Sequence, residues 1–555
     1  MVSDSRQRFV FLGGAPVFDF MIPVTLDEIR RATGGDVFVV GSRILLPLGT
    51  VFKVRAEGLE EPIYVNPIAN GELQSLQDRS YCALEFGGKH PEGPNLSLTA
   101  DRKTIAAEMK QQFPERIHGV KDLTVIPVEK PASIVLGGNN KNIIEEIKAL
   151  YSSVELTAAA ESILFEHLFF FDTTNPRFPM IRELYTHLGV SLGEESAMHV
   201  AGLTPRTAFV FTVEDDAGRN LDRIILANRT NEEVIPRELI NQRYGDLQYR
   251  LRRDDTYVDT NLVINSMTNH EEVRLLVRTL KTAFASGARC YLCPTLTLLN
   301  TMERLIETQY YTTEKERYFS FRKDFIETAI IPFIQYLICN KDELTLLDNA
   351  AAKRGIDAAA SLLCGRMNRG RQNESPEGGK VVVTGGSKGG RYTERLAPER
   401  AKAFWKKAKL PERQRLSFAD RRIVCGDDYV TGLVSTLGAG DVFAGIMVGL
   451  TALGWDGGHA LRAATLGAQH FIQHRTKPTI ADMIAVDEEH MRMGTETELA
   501  DVISHHVADS GDPTRYGTIT NTIITVSTSQ IQHGFREVLE LALKNGRRQQ
   551  EKQGG

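Results

Sequence analysis

The chain has 555 residues, of which 42% are hydrophobic and 25% are charged, so it can form a folded core and is not of the disordered class. Its 66 basic and 71 acidic residues give a net charge of -5, which offers no electrostatic reason to expect nucleic acid or a membrane surface as a partner. The six cysteines are scattered, and the single pair Cys290 and Cys293 lacks the further ligands of a zinc site. No signal peptide or membrane span is recognisable, so we expect a cytoplasmic protein.

The N-terminal part predicts a buried strand followed by a long insertion. Residues 9–12 are an apolar run that two glycines close, which is typical of a buried strand ending in a tight turn. Residues 35–134 alternate short β-rich pieces with glycine, proline and asparagine, and we interpret them as an inserted β-rich segment that resembles a lid. Residues 142–150 then have helical periodicity.

Strands and helices alternate in the middle of the chain. We predict strands at 207–213, 289–294, 336–340 and 380–384, and an amphipathic helix at 271–285. This alternation predicts an α/β fold with a mostly parallel sheet flanked by helices. The Lys- and Arg-rich residues 391–422 are interpreted as a solvated insertion, with a patch for an anionic partner as the alternative. The tail predicts a strand at 518–527 and a helix at 529–545.

The strongest chemical signal is the run Gly438, Ala439, Gly440 and Asp441 at the start of a long apolar helix. Glycines allow a ligand to approach the backbone closely, and the N–H groups and dipole of a helix N-terminus favour an anion. Asp441 then lies beside this anion site, where it could act as a general base. The alternative is an acidic residue that only complements the helix dipole.

Two further motifs precede this run. A buried strand ends at Thr384 and is followed by a turn with Gly385, Gly386 and Gly389, which could hold phosphate oxygens through backbone N–H groups. It is not a P-loop, because no Gly-Lys-Ser/Thr follows the first glycine at the spacing that a P-loop requires.

Upstream, Asn340 and Glu343 stand three residues apart after another strand. Asn and Glu oxygens suit a hydrated Mg²⁺, although a helix cap followed by a capping acid explains the pair equally well.

These three motifs, in this order, resemble the ribokinase-like (PfkB-type) carbohydrate kinases. The resemblance implies Mg²⁺ organised by Asn340 and Glu343, nucleotide phosphates at Thr384 to Gly389, and an anion hole with a base at Gly438 to Asp441. The small-residue helix after the base resembles the one that lines the adenine pocket in that family, with Ala464 and Ala468 as its candidate residues. The implied domains are a kinase domain at 8–34 and 135–490, the insertion at 35–134 and a C-terminal extension at 491–555.

The N-terminal half resembles the family more loosely. Asp19 stands where the family has a sugar-binding aspartate, but Val17 replaces the usual asparagine before it. The Gly-rich run with Gly137, Gly138 and Asn142 resembles the family's second sugar-binding motif, and a turn with a helix N-cap is the alternative. Ser435 stands where many members have an aspartate that shapes a monovalent-cation site, which puts K⁺ activation in doubt.

The sequence therefore predicts transfer of the terminal phosphoryl group of a nucleotide, ATP or alternatively ADP, to a hydroxyl of a sugar, sugar phosphate or nucleoside. A protein that kept the fold and binds ligands without turnover is the main alternative from another class. A dinucleotide-dependent enzyme is disfavoured, because no strand-Gly-x-Gly-x-x-Gly-helix unit occurs. Some family members dimerise through the lid, which leaves a homodimer open.

Overall fold

The computed structural model describes residues 6–76, 79–87, 89–93, 123–152, 163–228, 230–253, 258–267, 269–295, 298–299, 302, 329–347, 355–368, 378–386, 389–396, 418–425, 438–493, 499–506 and 520–522.

The strands that precede residue 140 are β1 (Arg6–Leu12), β2 (Val17–Thr25), β3 (Phe38–Val40), β4 (Arg43–Pro47), β5 (Thr50–Val54), β6 (Ile63–Val65), β7 (Glu72–Leu76), β8 (Arg79–Glu85), β9 (Lys89–Gly93), β10 (Thr124–Pro127) and β11 (Ser133–Gly137). The strands that follow are β12 (Leu164–Leu168), β13 (Val190–Ser191), β14 (Thr207–Glu214), β15 (Asn220–Asn228), β16 (Val258–Ile264), β17 (Arg289–Leu292), β18 (Tyr336–Asn340), β19 (Lys380–Thr384), β20 (Gly390–Arg395), β21 (Phe418–Cys425), β22 (Leu499–His506) and β23 (Thr520–Thr522).

The α-helices of the described segments are α1 (Leu26–Thr33), α2 (Asn139–Ser152), α3 (Phe178–His187), α4 (Glu195–Met198), α5 (Arg237–Arg253), α6 (His270–Ala285), α7 (Lys341–Leu347), α8 (Ile356–Arg366), α9 (Ala439–Ala452), α10 (Gly457–His474) and α11 (Ile480–Met493).

The largest sheet has 11 strands and forms the centre of the fold. Its strand order is β13-β12-β1-β16-β17-β18-β19-β20-β21-β22-β23, and all neighbours from β13 to β19 are parallel. The pairs from β19 to β23 are antiparallel. The predicted α/β class with a mostly parallel sheet between helices is therefore confirmed.

Each face of this sheet packs on its own set of helices. Side chains alternate between the two faces of a strand, so Phe9 and Phe11 join the core with α2, α9 and α10, whereas Val10 and Leu12 join the core with α5, α6 and α8. Because both faces are covered, the middle residues of several parallel strands are buried and apolar, as in 9–12, 337–339 and 381–383, which is why short apolar runs predicted these strands.

Three smaller sheets hold the N-terminal region. The five-stranded sheet has the order β11-β2-β14-β15-β9, and the strands within residues 35–134 also form a four-stranded sheet, β3-β4-β8-β7, and a three-stranded one, β10-β5-β6. The β-rich character of the insertion agrees with the prediction. Its role as a lid stays a prediction.

The C-terminal part of the structure differs from one prediction and agrees with part of another. Residues 391–422 were expected to be a solvated insertion, but β20 and β21 at its two ends pair with each other in the large sheet, since alternating apolar side chains such as Tyr392 and Ile423 are buried there. The strand Thr520–Thr522 lies within the predicted 518–527. Residues 397–417 and the helix predicted at 529–545 lie outside the described residues.

Candidate active site

Helix α9 begins at an open glycine turn. Gly438 precedes the helix with a φ of 84°, a left-handed conformation that glycine adopts without strain, and a Cβ atom there would come within 3.4 Å of the Phe471 ring. The N–H groups of Ala439, Gly440 and Asp441 have no acceptor within the helix, because they belong to its first turn. Gly440 is exposed to solvent. This helix end therefore presents donors and a positive dipole end to an anion.

Two amides hold the carboxylate of Asp441. The Nδ2 atom of Asn139 donates to Oδ1 over 2.9 Å, and the Nδ2 atom of Asn142 donates to Oδ2 over 2.8 Å. Both asparagines lie in the first turn of α2, so we call this arrangement the amide clamp. Sequence reasoning assigned Asn142 to sugar hydroxyls, and in this structure its amide contacts the candidate base. Asn139 was missed, although it lies inside the Gly-rich motif that was singled out.

The other predicted acceptor residues lie at the same place. A Cβ atom at Gly137 would collide with the carboxylate of Asp19, so only glycine allows these two strands to present Asp19 here. Gly138 has a φ of 106°, and its carbonyl accepts from the N–H of Asn142 over 2.9 Å. Asp19, Gly137, Gly138 and Asn142 thus come together with Asp441, although their roles toward an acceptor stay predictions.

The N-terminus of α2 is anchored to the end of β1. Asn140 donates to the carbonyl oxygens of Leu12, over 3.2 Å, and of Gly13. His167 lies 2.9 Å from the same Gly13 carbonyl through Nε2 and 2.7 Å from the Tyr185 hydroxyl through Nδ1. Burial lowers the pKa of His167 to about 3, so the ring is neutral and the contact is a structural hydrogen bond. This anchor fixes where the amide clamp meets Asp441.

The predicted nucleotide turn lies at the edge of the same sheet. Thr384 is paired in register with Asn340 on the neighbouring parallel strand. The N–H of Gly385 donates to the carbonyl of Gly389 over 2.7 Å and closes the turn, in which Gly386 has a φ of 60° and Gly389 a φ of 73°. Ser387 and Lys388 lie outside the described residues, as does Ser435. The register places the predicted phosphate turn and the predicted metal motif side by side.

Asn340 and Glu343 bind each other's backbone. The Asn340 side chain accepts from the Glu343 N–H over 2.8 Å, and the Glu343 carboxylate accepts from the Asn340 N–H over 2.9 Å. This is a capping box at the start of α7, the alternative that the sequence left open. The role of the pair toward Mg²⁺ stays a prediction.

Cys293 connects the two parts of the site electrostatically. Burial raises the pKa of its thiol, and the charges of Glu343 and Asp441 raise it further. The carboxylates of Glu343 and Asp441 therefore both lie near Cys293, at the end of the sheet where β17 finishes. The Cys293 side chain is buried, with 5% of its surface exposed.

A buried carboxylic acid lies one helical turn from the amide clamp. Glu146 is completely buried and its side chain contacts the space that a Cβ atom of Gly445 would need. Its nearest ionic partner is the Nζ atom of Lys477 at 3.6 Å. Burial raises the pKa of Glu146 to about 8, with Lys477 lowering it and Glu145 raising it.

The residues that were predicted to line an adenine pocket lie along one face of helix α10. Ala464 is completely buried, Ala468 is half-buried, and Phe471 and Arg475 continue the same face toward Gly438. Contact of Ala464 and Ala468 with adenine stays a prediction.

The described residues hold neither a metal-like cluster nor a membrane-spanning helix. They contain no group of three or more His, Cys, Asp or Glu side chains that could hold a metal ion. None of the helices in the described part of the chain has the length and apolar character that crossing a bilayer requires.

Comparisons with known proteins give similarity to solved structures alone. No protein-family model matches the chain, and no curated protein does. The adenosine kinase of Anopheles gambiae in complex with P1,P4-di(adenosine-5) tetraphosphate aligns at 13% identity and a TM-score of 0.45, over 86% of this chain and 99% of that one.

Other matched structures are kinases as well. Phosphofructokinase-2 from Escherichia coli in complex with potassium aligns at 12% identity and a TM-score of 0.43, over 88% of this chain and 100% of that one. The nucleoside kinase of Burkholderia thailandensis in complex with inosine aligns at 12% identity and a TM-score of 0.42, over 87% of this chain and 99% of that one. These are sugar and nucleoside kinases, the class that the motifs resemble, and similarity at this level assigns no role to any side chain of the site.

Proposed function

We propose that this protein is a phosphotransferase that moves the terminal phosphoryl group of a nucleotide to a hydroxyl group of a sugar-like acceptor, with Asp441 as the base. The observation that carries the proposal is the position of Asp441, in the open first turn of α9 and held by two amides from α2. A carboxylate beside a helix N-terminus can receive a proton while the adjacent N–H groups stabilise an anion.

The amide clamp suits the role of a base in two ways. Amide donors stabilise the ionised form of a carboxylate, which keeps it able to accept a proton. They also fix its direction, and positioning provides much of the acceleration in phosphoryl transfer. An acceptor hydroxyl that replaces one of the two amides would donate to Asp441 in the same direction.

The transfer exchanges one bond at the terminal phosphorus for another. The acceptor oxygen forms a bond to the terminal phosphorus while its proton passes to a carboxylate oxygen of Asp441. The bond between that phosphorus and the bridging oxygen breaks, and the electron pair leaves with the shortened nucleotide. The N–H groups of Ala439 and Gly440 stabilise the charge on the transferring phosphoryl oxygens.

Mg²⁺ is part of the proposal as an ion that arrives with the nucleotide. Since the capping box occupies one oxygen of Asn340 and one of Glu343, the pair fits a hydrated ion held through water better than a directly bound one. When bound, the ion would neutralise phosphate charge. Glu343 would supply the negative charge that holds its hydration shell at this edge.

The first test is acceptor-dependent turnover. Purified protein with Mg²⁺ is assayed with ATP or ADP against a panel of sugars, sugar phosphates and nucleosides. We expect Asp441→Asn to reduce kcat by about 10²–10⁴ while nucleotide binding persists, because the amide cannot accept the proton. Asp27→Asn, an exposed change on α1, is the matched control.

Three outcomes decide between the alternatives. Normal turnover by Asp441→Asn would contradict the base assignment. Turnover with ADP and not ATP would identify ADP as the donor. Nucleotide binding without turnover on any acceptor would favour a ligand-binding protein that has the fold of a kinase.

A further inference from the structure

Helices α2 and α9 contact each other at successive turns behind the candidate base. The Asn142 amide donates to the Asp441 carboxylate over 2.8 Å, and one turn further along each helix the Glu146 side chain lies against Gly445. Residues four apart share one face of a helix, so the clamp contact and the Glu146 contact belong to the same interface. A change that separates the helices at Glu146 therefore also draws the amide away from the carboxylate.

The interface at Glu146 is tightly packed. A Cβ atom at Gly445 would lie 2.6 Å from the Glu146 Cβ atom, 2.8 Å from its Cγ atom and 3.3 Å from the Ile143 carbonyl oxygen. Glu146 is completely buried, and in the described part of the chain neither of its carboxyl oxygens has a hydrogen-bond partner. The carboxyl group is thus cut off from solvent and lacks the donors that stabilise a negative charge.

The charged groups that face Glu146 lie on α2 and on the segment after α10. The Nζ atom of Lys477 lies 3.6 Å from a carboxyl oxygen of Glu146 and 3.9 Å from one of Glu145. The other Glu145 oxygen lies 2.7 Å from the Nζ atom of Lys141, and the only titratable side chain of α9 is Asp441. Lys477 is therefore shared between two acids. Burial raises the pKa of Glu146 to about 8, although Lys477 lowers it, and Glu145 raises it further.

We propose that Glu146 is a positioning residue, which keeps the amide clamp on Asp441 only while its own carboxyl group is uncharged. The proposal rests on the proposed function for the role of Asp441 as the base. A carboxylate buried without donors costs free energy, and the cost is relieved when water reaches it. Water reaches it when α2 moves away from α9, because the two helices are in contact at Gly445. Ionisation of Glu146 then withdraws Asn142 from the base, and phosphoryl transfer slows.

The pH dependence of kcat tests the proposal. With a pKa of about 8 for Glu146, the original protein should lose about ten-fold in kcat between pH 6.5 and pH 9, because about one molecule in ten then holds the proton. Glu146→Gln keeps the shape of the uncharged acid and cannot ionise, so its kcat should be the same at both pH values. The effect should appear in kcat and not in the KM for the nucleotide, because the clamp acts on the base.

Two neighbouring charges should move this alkaline limit in opposite directions. Lys477→Gln removes the influence that lowers the pKa of Glu146, so the decline in kcat should move to higher pH. Glu145→Gln removes an influence that raises the same pKa, so the decline should move to lower pH. Glu183→Gln, an exposed change on α3, is the matched control and should show the pH profile of the original protein.

Hydrogen exchange detects the separation of the helices without any turnover. Peptides from α2, α9 and α6 are followed by mass spectrometry between pH 6.5 and pH 9, and their rates are corrected for the chemical exchange rate at each pH. In the original protein we expect the protection of α2 and α9 to fall as the pH rises, while that of α6 stays constant. Glu146→Gln should keep the protection of all three helices.

Several results would overturn the proposal. It fails if Glu146→Gln retains the alkaline decline in kcat, or if Lys477→Gln and Glu145→Gln move that decline in the same direction. It also fails if the protection of α2 and α9 does not depend on pH in the original protein, and turnover with an unchanged kcat up to pH 9 would contradict it while leaving the proposed function intact. A pH-dependent loss of protection that Glu146→Gln abolishes, in a protein that phosphorylates no acceptor, would support the role of Glu146 in holding the clamp and contradict the proposed function.

Discussion

At the scale of single residues, the site is defined by hydrogen bonds that cross most of the chain. Asn139 and Asn142 contact Asp441 although 302 and 299 residues separate them. Each amide donates to a charged acceptor, and such bonds contribute roughly 1.5–3 kcal/mol. The direction in which Asp441 points is therefore set from outside its own helix.

The amide clamp makes a prediction for kinetics. Asn139→Ala or Asn142→Ala should lower kcat by about 10-fold, and the acidic limb of the pH–rate profile should move to higher pH, because the ionised carboxylate loses a donor. In the Asp441→Asn background the same changes should have little further effect. Equal losses in both backgrounds would show that the asparagines act independently of Asp441.

Glu146 makes a prediction for the pH dependence of stability. Its pKa is about 8 when folded and 4.5 as a free side chain, so the folded state holds the proton more tightly. The free energy of unfolding is then fully retained below about pH 4.5 and declines as the pH rises to about 8, by up to about 1.4 kcal/mol per pH unit. Glu146→Gln removes this group and should flatten that decline.

Urea unfolding at pH 5, 6.5 and 8 measures the effect. The difference between the variant and the original protein should grow in favour of the variant as the pH rises. Lys477 and Glu145 face the same carboxyl group, so Lys477→Gln, which removes the lowering influence on the pKa of Glu146, should extend the decline to higher pH. Parallel curves for Glu146→Gln and the original protein would contradict the burial of an unionised acid.

At the scale of elements, the contact between α2 and α9 determines whether the amide clamp reaches Asp441. Gly445 and Gly449 face α2, and the Tyr151 hydroxyl donates to the Gly449 carbonyl over 2.7 Å. A Cβ atom at Gly445 would lie 2.6 Å from the Cβ atom of Glu146, which cannot move without the helix. At Gly449 the nearest atom would be a terminal methyl of Leu150 at 3.1 Å, which can rotate.

The two glycines should therefore respond differently to alanine. Gly445→Ala should lower the free energy of unfolding by about 1–3 kcal/mol and reduce kcat, since it separates α2 from α9. Gly449→Ala should be close to neutral, because the gain in helix propensity, about 1 kcal/mol, offsets a small adjustment of Leu150. Chemical denaturation of both variants and their kcat values test this, and equal effects would mean that the helices are not in close contact.

At the scale of the whole molecule, the inserted segment shares a core with the sheet that carries Asp19. Phe52 in β5 contacts Phe211 in β14 with ring centres 4.6 Å apart, and Ile44 and Cys82 belong to the same buried cluster. Removing residues 35–134 would expose this apolar surface to water. The insertion is thus a part of the folded unit, whatever its motion during a reaction.

A deletion tests this view. We expect a chain in which a short Gly-Ser linker replaces residues 35–134 to be insoluble or to lose cooperative unfolding, because the core face of the five-stranded sheet loses its cover. The full-length chain, measured in parallel by circular dichroism and thermal unfolding, is the reference. A soluble, cooperative deletion variant would mean that the insertion is an appended lid.

The α/β class and the motifs could be read from the amino-acid sequence, because both depend on local information. Short apolar runs between turns specify buried parallel strands, and glycines at Gly438 and Gly386 occur where the backbone needs a positive φ. The order of the three motifs was enough to suggest a phosphotransferase. The capping interpretation of Asn340 and Glu343 could also be stated from their spacing, but spacing could not choose between a cap and a metal motif.

Which distant residues meet is a matter of how the elements pack in three dimensions. The partner of Asn142 and the burial of Glu146 depend on packing between α2 and α9, and no local pattern encodes such contacts. Hydrophobic burial specifies that these elements associate but is not directional, so the pairs that form depend on how the helices and sheets fit together. The sequence thus shows most of the residues that form the site, whereas the hydrogen bonds and packing contacts between them depend on the fold.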